Sequence, residues 1–550
     1  MKVDNRPIVL VLTFAVVGFY LFVIVPGPGI ALPWMLVDDG LFFRWSISIN
    51  HGDWLGPWDF LATAKGPFHS FMVALASRVG VNPFAYKRLF LLISSLILVH
   101  IVISRHRPWL RLLLLVALLI DPSQFGALGL RNLREGTYLP IQMIALGFGS
   151  LGLDRMRSKS LGKRDIILPV FGMGIGFGLL MIIREGRIIV WLELLIWLAL
   201  AGFILIQRRY RLSRRSLSFL VLNLSFLVFT IFLPLVILAS VQKTYYGSFI
   251  SNSLEEGGFN RFYGKLSNLR ERGDNLYIPR VPVKKQTLSL AIEELPERPL
   301  GLRHILAGID WGDADYSCRE YFDTCNDMAS GWLQWSIRKS ISTMIMPYGN
   351  EREFQLVLNS AERELDELCM TSSRLECVSM VSGFMVAPKR WGYQDVPKAT
   401  FIEASLILDK VFIPQPFPFG HPDLSRSTTV GPLARQELDK NGIHLIAKKS
   451  QIRWQRLYVG LSLVGYSLRL FLSIALVICL LRSLCQPSTL RKCVDPVAVW
   501  LLSCALIHSG LYTLISLTAF SGSPYTILTA PIAVVLYARI INNFSFLALE

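Results

Sequence analysis

Long apolar stretches alternate with short polar or basic segments over most of the 550-residue chain. A helix needs roughly 20 apolar residues to cross the hydrocarbon layer of a bilayer. Stretches of this length predict about ten transmembrane helices, and therefore an all-α polytopic membrane protein. Their predicted ranges are 8–26, 87–104, a third ending near 120, 138–153, 166–183, 188–206, 217–240, 456–481, 496–519 and 525–544.

A long polar segment, residues 243–455, separates the seventh and eighth predicted helices. Residues 284–297 and 351–368 within it have helical composition, and the remainder is mixed. The segment predicts an inserted domain that is either mixed α/β or mainly helical. The chain then divides into a transmembrane module 1–242 with a first external loop 27–85, an extracytoplasmic domain 243–455, and C-terminal transmembrane helices 456–550.

The net charge of +17 comes mainly from Lys and Arg in short loops between apolar stretches, whereas most acidic residues lie in 243–455. If each apolar stretch crosses the membrane, all of these basic loops fall on the same side, as the positive-inside rule requires of cytoplasmic loops. The pattern predicts a multi-pass protein of the bacterial plasma (inner) membrane with cytoplasmic termini and a periplasmic domain 243–455. Because topology explains the charge, we expect membrane lipids and no nucleic acid as partners.

Cysteine positions agree with this orientation. Four cysteines lie in the segment predicted to be outside, where disulfides form, and they fall into the close pairs Cys318 with Cys325 and Cys369 with Cys377. Two bridges are predicted, although four cysteines allow three pairings. Neither pair has the CxxC spacing of a zinc ribbon. The cysteines expected to be free are Cys479, Cys485, Cys493 and Cys504.

The first external loop contains the most specific polar pattern. Asp38 and Asp39 stand where the chain leaves the first span, and Phe42, Trp45 and Ile49 follow at helical spacing. The spacing predicts an amphipathic helix over 40–50 in the membrane interface. Adjacent carboxylates at a lipid boundary suit a general base or a metal ligand. The alternative is that they only cap the positive end of this helix.

The order of short motifs in this loop resembles a known family. The acidic pair is followed by Gly52-Asp53-Trp54 and then by Lys65-Gly66-Pro67. This arrangement is similar to that of GT-C fold glycosyltransferases, in particular a bacterial branch of the protein O-mannosyltransferases and lipid A aminoarabinose transferases. Those enzymes usually read Asp-Glu, Gly-Asp-Trp and Lys-Pro-Pro. The close resemblance covers roughly residues 30–80, and topology extends it loosely to about 240.

The resemblance implies a role for each matching position. Asp38 would be the catalytic carboxylate that activates an acceptor hydroxyl, and Asp39 would support it or hold a divalent metal such as Mg²⁺, Mn²⁺ or Ca²⁺. Lys65 would bind the phosphate of a polyprenyl carrier. The implied reaction is an inverting transfer of a sugar from that carrier. Replacing Asp-Glu by Asp-Asp shortens one side chain, which affects the supporting role more than the catalytic one.

Two further external loops carry arginines, against the positive-inside bias. Arg131, Arg134 and Glu135 precede the fourth span, and Arg184 and Glu185 precede the sixth. The arginines suit a phosphate site because guanidinium binds two oxygens at once, and Glu135 would be a second acidic ligand near Asp38. The alternative is that Arg134–Glu135 and Arg184–Glu185 are local ion pairs at helix ends.

Together these observations predict a glycosyltransferase that moves a sugar from a polyprenyl phosphate to a lipid, glycan or protein acceptor at the outer face of the membrane. One competing interpretation is an O-antigen polymerase or ligase, which would not need the Asp38–Asp39 and Lys65 arrangement. Another is a lipid or polysaccharide transporter, which should place charges at mid-membrane. The domain 243–455 is predicted to select the acceptor.

Overall fold

The computed structural model is mostly helical. It describes residues 6–29, 39–103, 107–125, 127–158, 164–184, 186–207, 214–274, 281–312, 314–315, 318, 325–346, 349–377, 448–485, 495–518 and 532–540. The N-terminal half contains α1 (Arg6–Phe19, continued by a π-helical turn Tyr20–Ile24), α2 (Asp39–His51), α3 (Phe68–Arg78), α4 (Pro83–Val102), α5 (Pro108–Leu119), α6 (Pro122–Phe125), α7 (Ala127–Leu130), α8 (Glu135–Arg157), α9 (Arg164–Ile183), α10 (Arg187–Gln207) and α11 (Arg214–Tyr246).

The remaining elements follow in chain order. They are α12 (Gly258–Leu266), β1 (Leu269–Glu271), α13 (Lys285–Glu294), α14 (Leu302–Ala307), α15 (Ser330–Ile345), α16 (Glu351–Thr371), β2 (Leu375–Cys377), α17 (Lys448–Cys485) and α18 (Pro496–Thr518). A further helical stretch covers 532–540.

Six helical segments within the described residues are long and apolar enough to cross a membrane. They are Arg6–Ile24, Pro83–Val102, Pro108–Phe125, Ile166–Ile183, Arg187–Gln207 and Val221–Tyr246. Each matches a predicted span, and the polytopic all-α fold class is therefore confirmed. Large apolar side chains such as Phe14, Phe22 and Leu222 remain exposed on α1 and α11, as expected where a helix faces lipid rather than water.

The other four predicted spans also coincide with helix. Helix α8 covers 138–153 but carries charges at both ends, and it packs between α4 and α9. Helices α17 and α18 cover 456–481 and 496–519 almost completely. The tenth span, 525–544, overlaps the described turns at 532–540, and its other residues lie outside the described part of the chain.

Helix α9 packs closely between α8 and α11. A Cβ atom at Gly178 of α9 would lie 2.4 Å from the Ile231 carbonyl oxygen of α11. Small residues allow such close backbone approach, which is how helices associate where no water is present to drive burial. The apolar core around this contact includes Phe177, Leu227 and Ile231.

The described part of the inserted domain is mainly helical. Helix α12 packs on α16, and Phe259, Phe262 and Phe354 are fully buried in a second apolar core. Strands β1 and β2 form one antiparallel two-stranded sheet, with Leu269 opposite Cys377. Helices α13 and α16 agree with the predicted helical ranges 284–297 and 351–368 to within four residues at each end.

Disulfides close two short loops of this domain. Cys318 bonds Cys325, and Cys369 at the end of α16 bonds Cys377 in β2. Of the three pairings that the sequence allows, the structure has the one that joins near neighbours. Cys504 is free and buried in α18, as predicted.

Candidate active site where three polar loops meet

The structure brings the three predicted external loops to one end of the helical bundle. Arg131 contacts Asp39, which joins the second loop to the first. Arg184 contacts Glu135, which joins the third loop to the second. The inserted domain reaches the same end, because Arg187 pairs with Glu255. The charged residues predicted for the site, as far as the structure describes them, therefore lie close together, although up to about 150 positions separate them in sequence.

Asp39 is the first residue of α2 and is fully buried. Its Oδ2 accepts hydrogen bonds from Arg131 Nε at 3.1 Å and Nη2 at 2.5 Å, and its Oδ1 accepts one from the Asn132 amide at 3.1 Å. Hydrogen bonds between two charged groups are among the strongest that proteins use. Asp39 is thus anchored to the 131–132 turn and does more than cap a helix.

Glu135 begins α8, and its Oε1 lies 3.3 Å from Arg184 Nη1. Arg134 donates to the Ile183 carbonyl oxygen at 3.4 Å, and its guanidinium lies 5.7 Å from the centre of the Phe42 ring. Glu135 therefore pairs with an arginine of another loop, Arg184. Glu185 lies outside the described residues.

The Lys65-Gly66-Pro67 motif lies against the same end of α9. A Cβ atom at Gly66 would be 2.3 Å from the Ile182 carbonyl oxygen, so only glycine allows this backbone contact. Lys65 is buried, with its Nζ 5.6 Å from the centre of the Trp335 ring of α15. Pro67 precedes α3. Lys65, Arg134 and Arg184 are therefore gathered around the Ile182–Ile183 turn.

Lys87 and Arg88, which belong to none of the predicted motifs, lie at the edge of the same region. Lys87 is buried and donates to the Arg131 carbonyl oxygen. Arg88 donates to carbonyl oxygens at the end of α1, including Ile24 at 3.1 Å and Pro28 at 2.6 Å. Both line a cavity together with Tyr20, Phe84, Leu91, Gln124, Phe125, Gly129, Leu130, Gly136 and Pro140. A Lys-Arg pair at the predicted outer end of a span opposes the positive-inside bias, and that signal could have identified it.

His69, the second residue of α3, is fully buried behind these charges. Its Nδ1 lies within hydrogen-bond distance of the Thr137 hydroxyl at 2.8 Å and the Tyr86 hydroxyl at 2.9 Å. Its Nε2 lies 3.2 Å from Asn132 Oδ1. Burial, followed by the positive charge of Lys87, lowers the pKa of His69 to about 3. His69 is therefore neutral at physiological pH and packs inside the site.

Helix α2 forms where the amphipathic pattern predicts it, but protein covers its apolar face. Phe42 and Trp45 belong to the core of the inserted domain, and the Phe42 ring meets the His69 ring edge-on at 5.2 Å. The predicted location of α2 in the lipid interface is thus corrected for these two side chains. The pattern alone cannot distinguish lipid from a protein partner, since both are apolar.

Asp38 lies outside the described residues, directly before α2. Asp39 and Glu135, the two described carboxylates predicted as metal ligands, form ion pairs with arginines. No group of three His, Cys, Asp or Glu side chains within the described residues is arranged to hold a metal ion. The divalent metal stays a prediction, and no step of the proposed reaction depends on it.

Comparisons with known proteins give few matches. No family model and no curated protein matches the chain. Among solved structures, it is similar to ArnT from Cupriavidus metallidurans in the apo state, at 15% identity and a TM-score of 0.30, and bound to undecaprenyl phosphate, at 14% and 0.32. Each alignment covers 97% of this chain and 77% of that one.

Proposed function

We propose that this chain is a membrane glycosyltransferase that takes a sugar from a polyprenyl-phosphate carrier and transfers it to an acceptor hydroxyl. One observation carries the proposal. The loop with the acidic pair Asp38–Asp39 is bonded through Asp39 to Arg131, and the loops that supply Arg134, Arg184 and Lys65 meet at the same end of the bundle. Such a reaction needs a base for the acceptor and cations for the phosphate leaving group.

The two adjacent aspartates have different parts in this proposal. Both oxygens of Asp39 accept hydrogen bonds from Arg131 or Asn132, which suits an anchor more than a base that must collect a proton. Asp38, as its neighbour, is the proposed base. The Asp39–Arg131 pair would hold the start of α2, which Asp38 directly precedes in sequence, beside the arginine loop.

The cations are proposed to bind the phosphate of the carrier. Arg134 donates to the carbonyl oxygen of Ile183, and Arg184 directly follows Ile183 in the chain. Lys65 directly precedes Gly66, whose backbone contacts the same end of α9. Fixed cations at a site with little water stabilise charge as it develops on a leaving group. Arg131 contributes through Asp39 and through its partly exposed guanidinium.

The proposed step is a single displacement. The acceptor oxygen forms a bond to the anomeric carbon of the sugar, the bond from that carbon to the phosphate oxygen breaks, and the electron pair leaves with the polyprenyl phosphate. The acceptor proton goes to the Asp38 carboxylate. A base in this position typically contributes about 10²–10⁴-fold to the rate. The inverting outcome and the outer-face location follow the family resemblance and the charge pattern.

The test is transfer from a radiolabelled polyprenyl-phosphate sugar pool by membranes that contain the wild type or Asp38→Asn. We expect wild-type transfer and a loss of at least roughly 100-fold in the variant, by the usual value of a general base. Asp310→Asn is the matched control, because Asp310 is exposed in the inserted domain and belongs to none of the motifs, so its replacement should change transfer little. Equal activity of wild type and Asp38→Asn would remove the base, and no turnover by folded wild type would contradict the proposed function.

A transporter is the second candidate, favoured by one specific observation. Glu193 of α10 and His508 of α18 are fully buried within the bundle, with Glu193 Oε1 3.0 Å from His508 Nε2. Ionisable residues inside spans often mark transport pathways. Uptake of labelled polyprenyl-phosphate sugar into vesicles that falls on Glu193→Gln, with no transfer to any acceptor, would favour transport. Transfer that persists in Glu193→Gln would favour the glycosyltransferase.

A further inference from the structure

The turn that carries Lys65 is bonded to the inserted domain at several points. Within the turn, Asp59 Oδ1 accepts from the Leu61 and Ala62 amides, both at 2.9 Å, and the Lys65 amide donates to the Leu61 carbonyl oxygen at 3.2 Å. These bonds give the turn its shape but do not attach it to another element. Its attachment comes from the domain.

Glu351 is the centre of that attachment. It is the first residue of α16 and is fully buried. Its Oε2 accepts from the Thr63 hydroxyl and from Trp58 Nε1 at 3.1 Å, and its Oε1 accepts from Gln355 at 2.7 Å. A carboxylate at the start of a helix is also stabilised by the helix dipole. Glu351 therefore holds the turn at two points, residues 58 and 63.

Two neighbours complete the attachment. Ser253 bonds Thr63 twice, with its amide 2.9 Å from the Thr63 carbonyl oxygen and its hydroxyl 3.0 Å from the Thr63 hydroxyl. Arg338 of α15 donates through Nε to the Phe60 carbonyl oxygen at 2.9 Å. Its guanidinium lies over the Phe354 ring at 4.6 Å, and its Nη1 and Nη2 have no hydrogen-bond partner among the described residues.

Charge makes Glu351 and Arg338 interdependent. Both are fully buried. Burial lowers the pKa of Arg338 to about 10, and Glu351 is the first of the charges that oppose this shift. Removal of Glu351 would leave Asp59 as the remaining carboxylate that opposes this shift, and a buried charge with weaker compensation is costly in a protein interior. The turn would then lose its anchor, and the buried Arg338 would lose the first of its two compensating charges.

From these contacts we infer that Glu351 is a positioning residue that fixes Lys65 for the carrier phosphate. The inference rests on the proposed function. Lys65 follows Thr63 by two residues and precedes Gly66, which is held against the Ile182 carbonyl oxygen. Its backbone is thus fixed from one side by the domain and from the other by α9. The inserted domain is accordingly part of the donor site, in addition to any role in choosing the acceptor.

The first measurement is hydrogen exchange on the full-length protein with Glu351→Ala. We expect faster exchange at the amides of Ala62, Ala64 and Lys65, with unchanged protection in α9. Glu353→Gln is the matched control, because Glu353 is exposed on the same helical turn. Unchanged exchange in Glu351→Ala would overturn the inference, since the turn would then be held without Glu351.

The second measurement is a double-variant cycle in the transfer assay. Lys65→Ala and Glu351→Ala should each raise the KM for the donor by about 10–100-fold, the usual effect of losing a hydrogen bond to a charged group. The double variant should be no worse than Lys65→Ala alone, because Glu351 acts through Lys65. Losses that multiply would overturn the positioning role, while wild type without turnover would contradict the proposed function and this inference with it.

A pair of smaller changes at Thr63 tests the same contact in case Glu351→Ala does not fold. Thr63→Ser keeps the hydroxyl that donates to Glu351, whereas Thr63→Val keeps the volume and removes the donor. We expect near-normal donor KM for Thr63→Ser and an increase of about tenfold for Thr63→Val. Equal KM values for the two variants would contradict the inference, because the hydroxyl would then have no part in holding the turn.

Discussion

Arg131 and Asp39 form an ion pair that joins two loops 92 positions apart, with Arg131 Nη2 2.5 Å from Oδ2 of the fully buried Asp39. A second guanidinium nitrogen, Nε, donates to the same carboxylate oxygen at 3.1 Å. Because Asp39 begins α2 and Arg131 precedes α8, the pair fixes the first external loop relative to the centre of the bundle. In the proposed mechanism, the pair anchors the helix start that directly follows the base Asp38 in sequence.

The first prediction concerns this pair. Arg131→Gln should lower the free energy of unfolding by about 3–5 kcal/mol, because it leaves the Asp39 carboxylate buried without its charge partner. Transfer activity should fall by at least tenfold. Arg261→Gln is the control: Arg261 pairs with Glu362 on the domain surface and is largely exposed, so its loss should cost about 0–1 kcal/mol. Denaturant titration in detergent measures both, and equal losses would contradict the structural role of Arg131.

The second prediction concerns Gly66. In Gly66→Ala the new methyl group would lie 2.3 Å from the Ile182 carbonyl oxygen and close to further backbone atoms of Ile183. Backbone cannot yield as a side chain does, so we expect a loss of about 1–3 kcal/mol in stability and a large rise in donor KM as Lys65 moves.

Gly202→Ala serves as the control for that substitution. Gly202 lies in α10, and a Cβ atom added there would meet no other atom within 4 Å, while alanine favours helix more than glycine does by about 1 kcal/mol. Gly202→Ala should therefore retain donor KM and full stability. A normal donor KM in Gly66→Ala would show that Lys65 does not depend on this contact.

Several features of the fold and site could be predicted because they depend on local patterns. Hydropathy places the spans because length and apolarity alone decide whether a helix crosses lipid. Helices α13 and α16 could be predicted from composition. That Asp39, Arg131 and Arg184 lie at the same end of the bundle follows from counting the spans between them, because each span takes the chain from one side of the membrane to the other. The disulfide pairs join near neighbours, which sequence distance favours without excluding other pairings.

Other features depend on contacts that no local pattern encodes. The Glu351–Thr63 bond joins residues 288 positions apart, and nothing near either residue indicates the other. The pattern of Phe42 and Trp45 predicts a lipid-facing surface, yet these rings are covered by the inserted domain. Lys87 stands at the start of a predicted span, whereas in the structure it bonds the Arg131 carbonyl oxygen beside the site. Long-range packing decides each of these outcomes.

The third prediction concerns the bond between Cys369 and Cys377, which ties the end of α16 to β2. In the protein isolated from cells, thiol alkylation should label neither cysteine before reduction, and Cys369→Ser should expose only Cys377. The double variant Cys369→Ser/Cys377→Ser should lose about 2–3 kcal/mol, as expected for closure of a short loop.

The Cys318–Cys325 bond is the internal control for this experiment, because it should stay oxidised in both variants. The outcome also tests the predicted orientation of the chain, since disulfides persist in oxidising compartments and are rare in the cytosol. Reduced cysteines at all four positions in freshly isolated protein would contradict an extracytoplasmic location of the inserted domain.

The fourth prediction is a pH dependence that originates at His69. Its pKa is about 3 in the folded chain, lowered by burial and then by Lys87, and about 6.5 when unfolded. Between about pH 6.5 and 3 the unfolded chain binds a proton that the folded chain does not, so stability falls as the pH falls through this window. The slope from this residue should be about 1.4 kcal/mol per pH unit.

His69→Gln isolates that contribution, because glutamine retains hydrogen-bonding groups for Thr137 and Asn132 but does not titrate. The free energy of unfolding of wild type minus that of the variant should fall steadily from about pH 6.5 towards about pH 4. The carboxylates of the chain do not affect this difference, because both proteins share them. A His69→Gln profile parallel to wild type over this range would mean that His69 is charged, or accessible to water, in the folded protein.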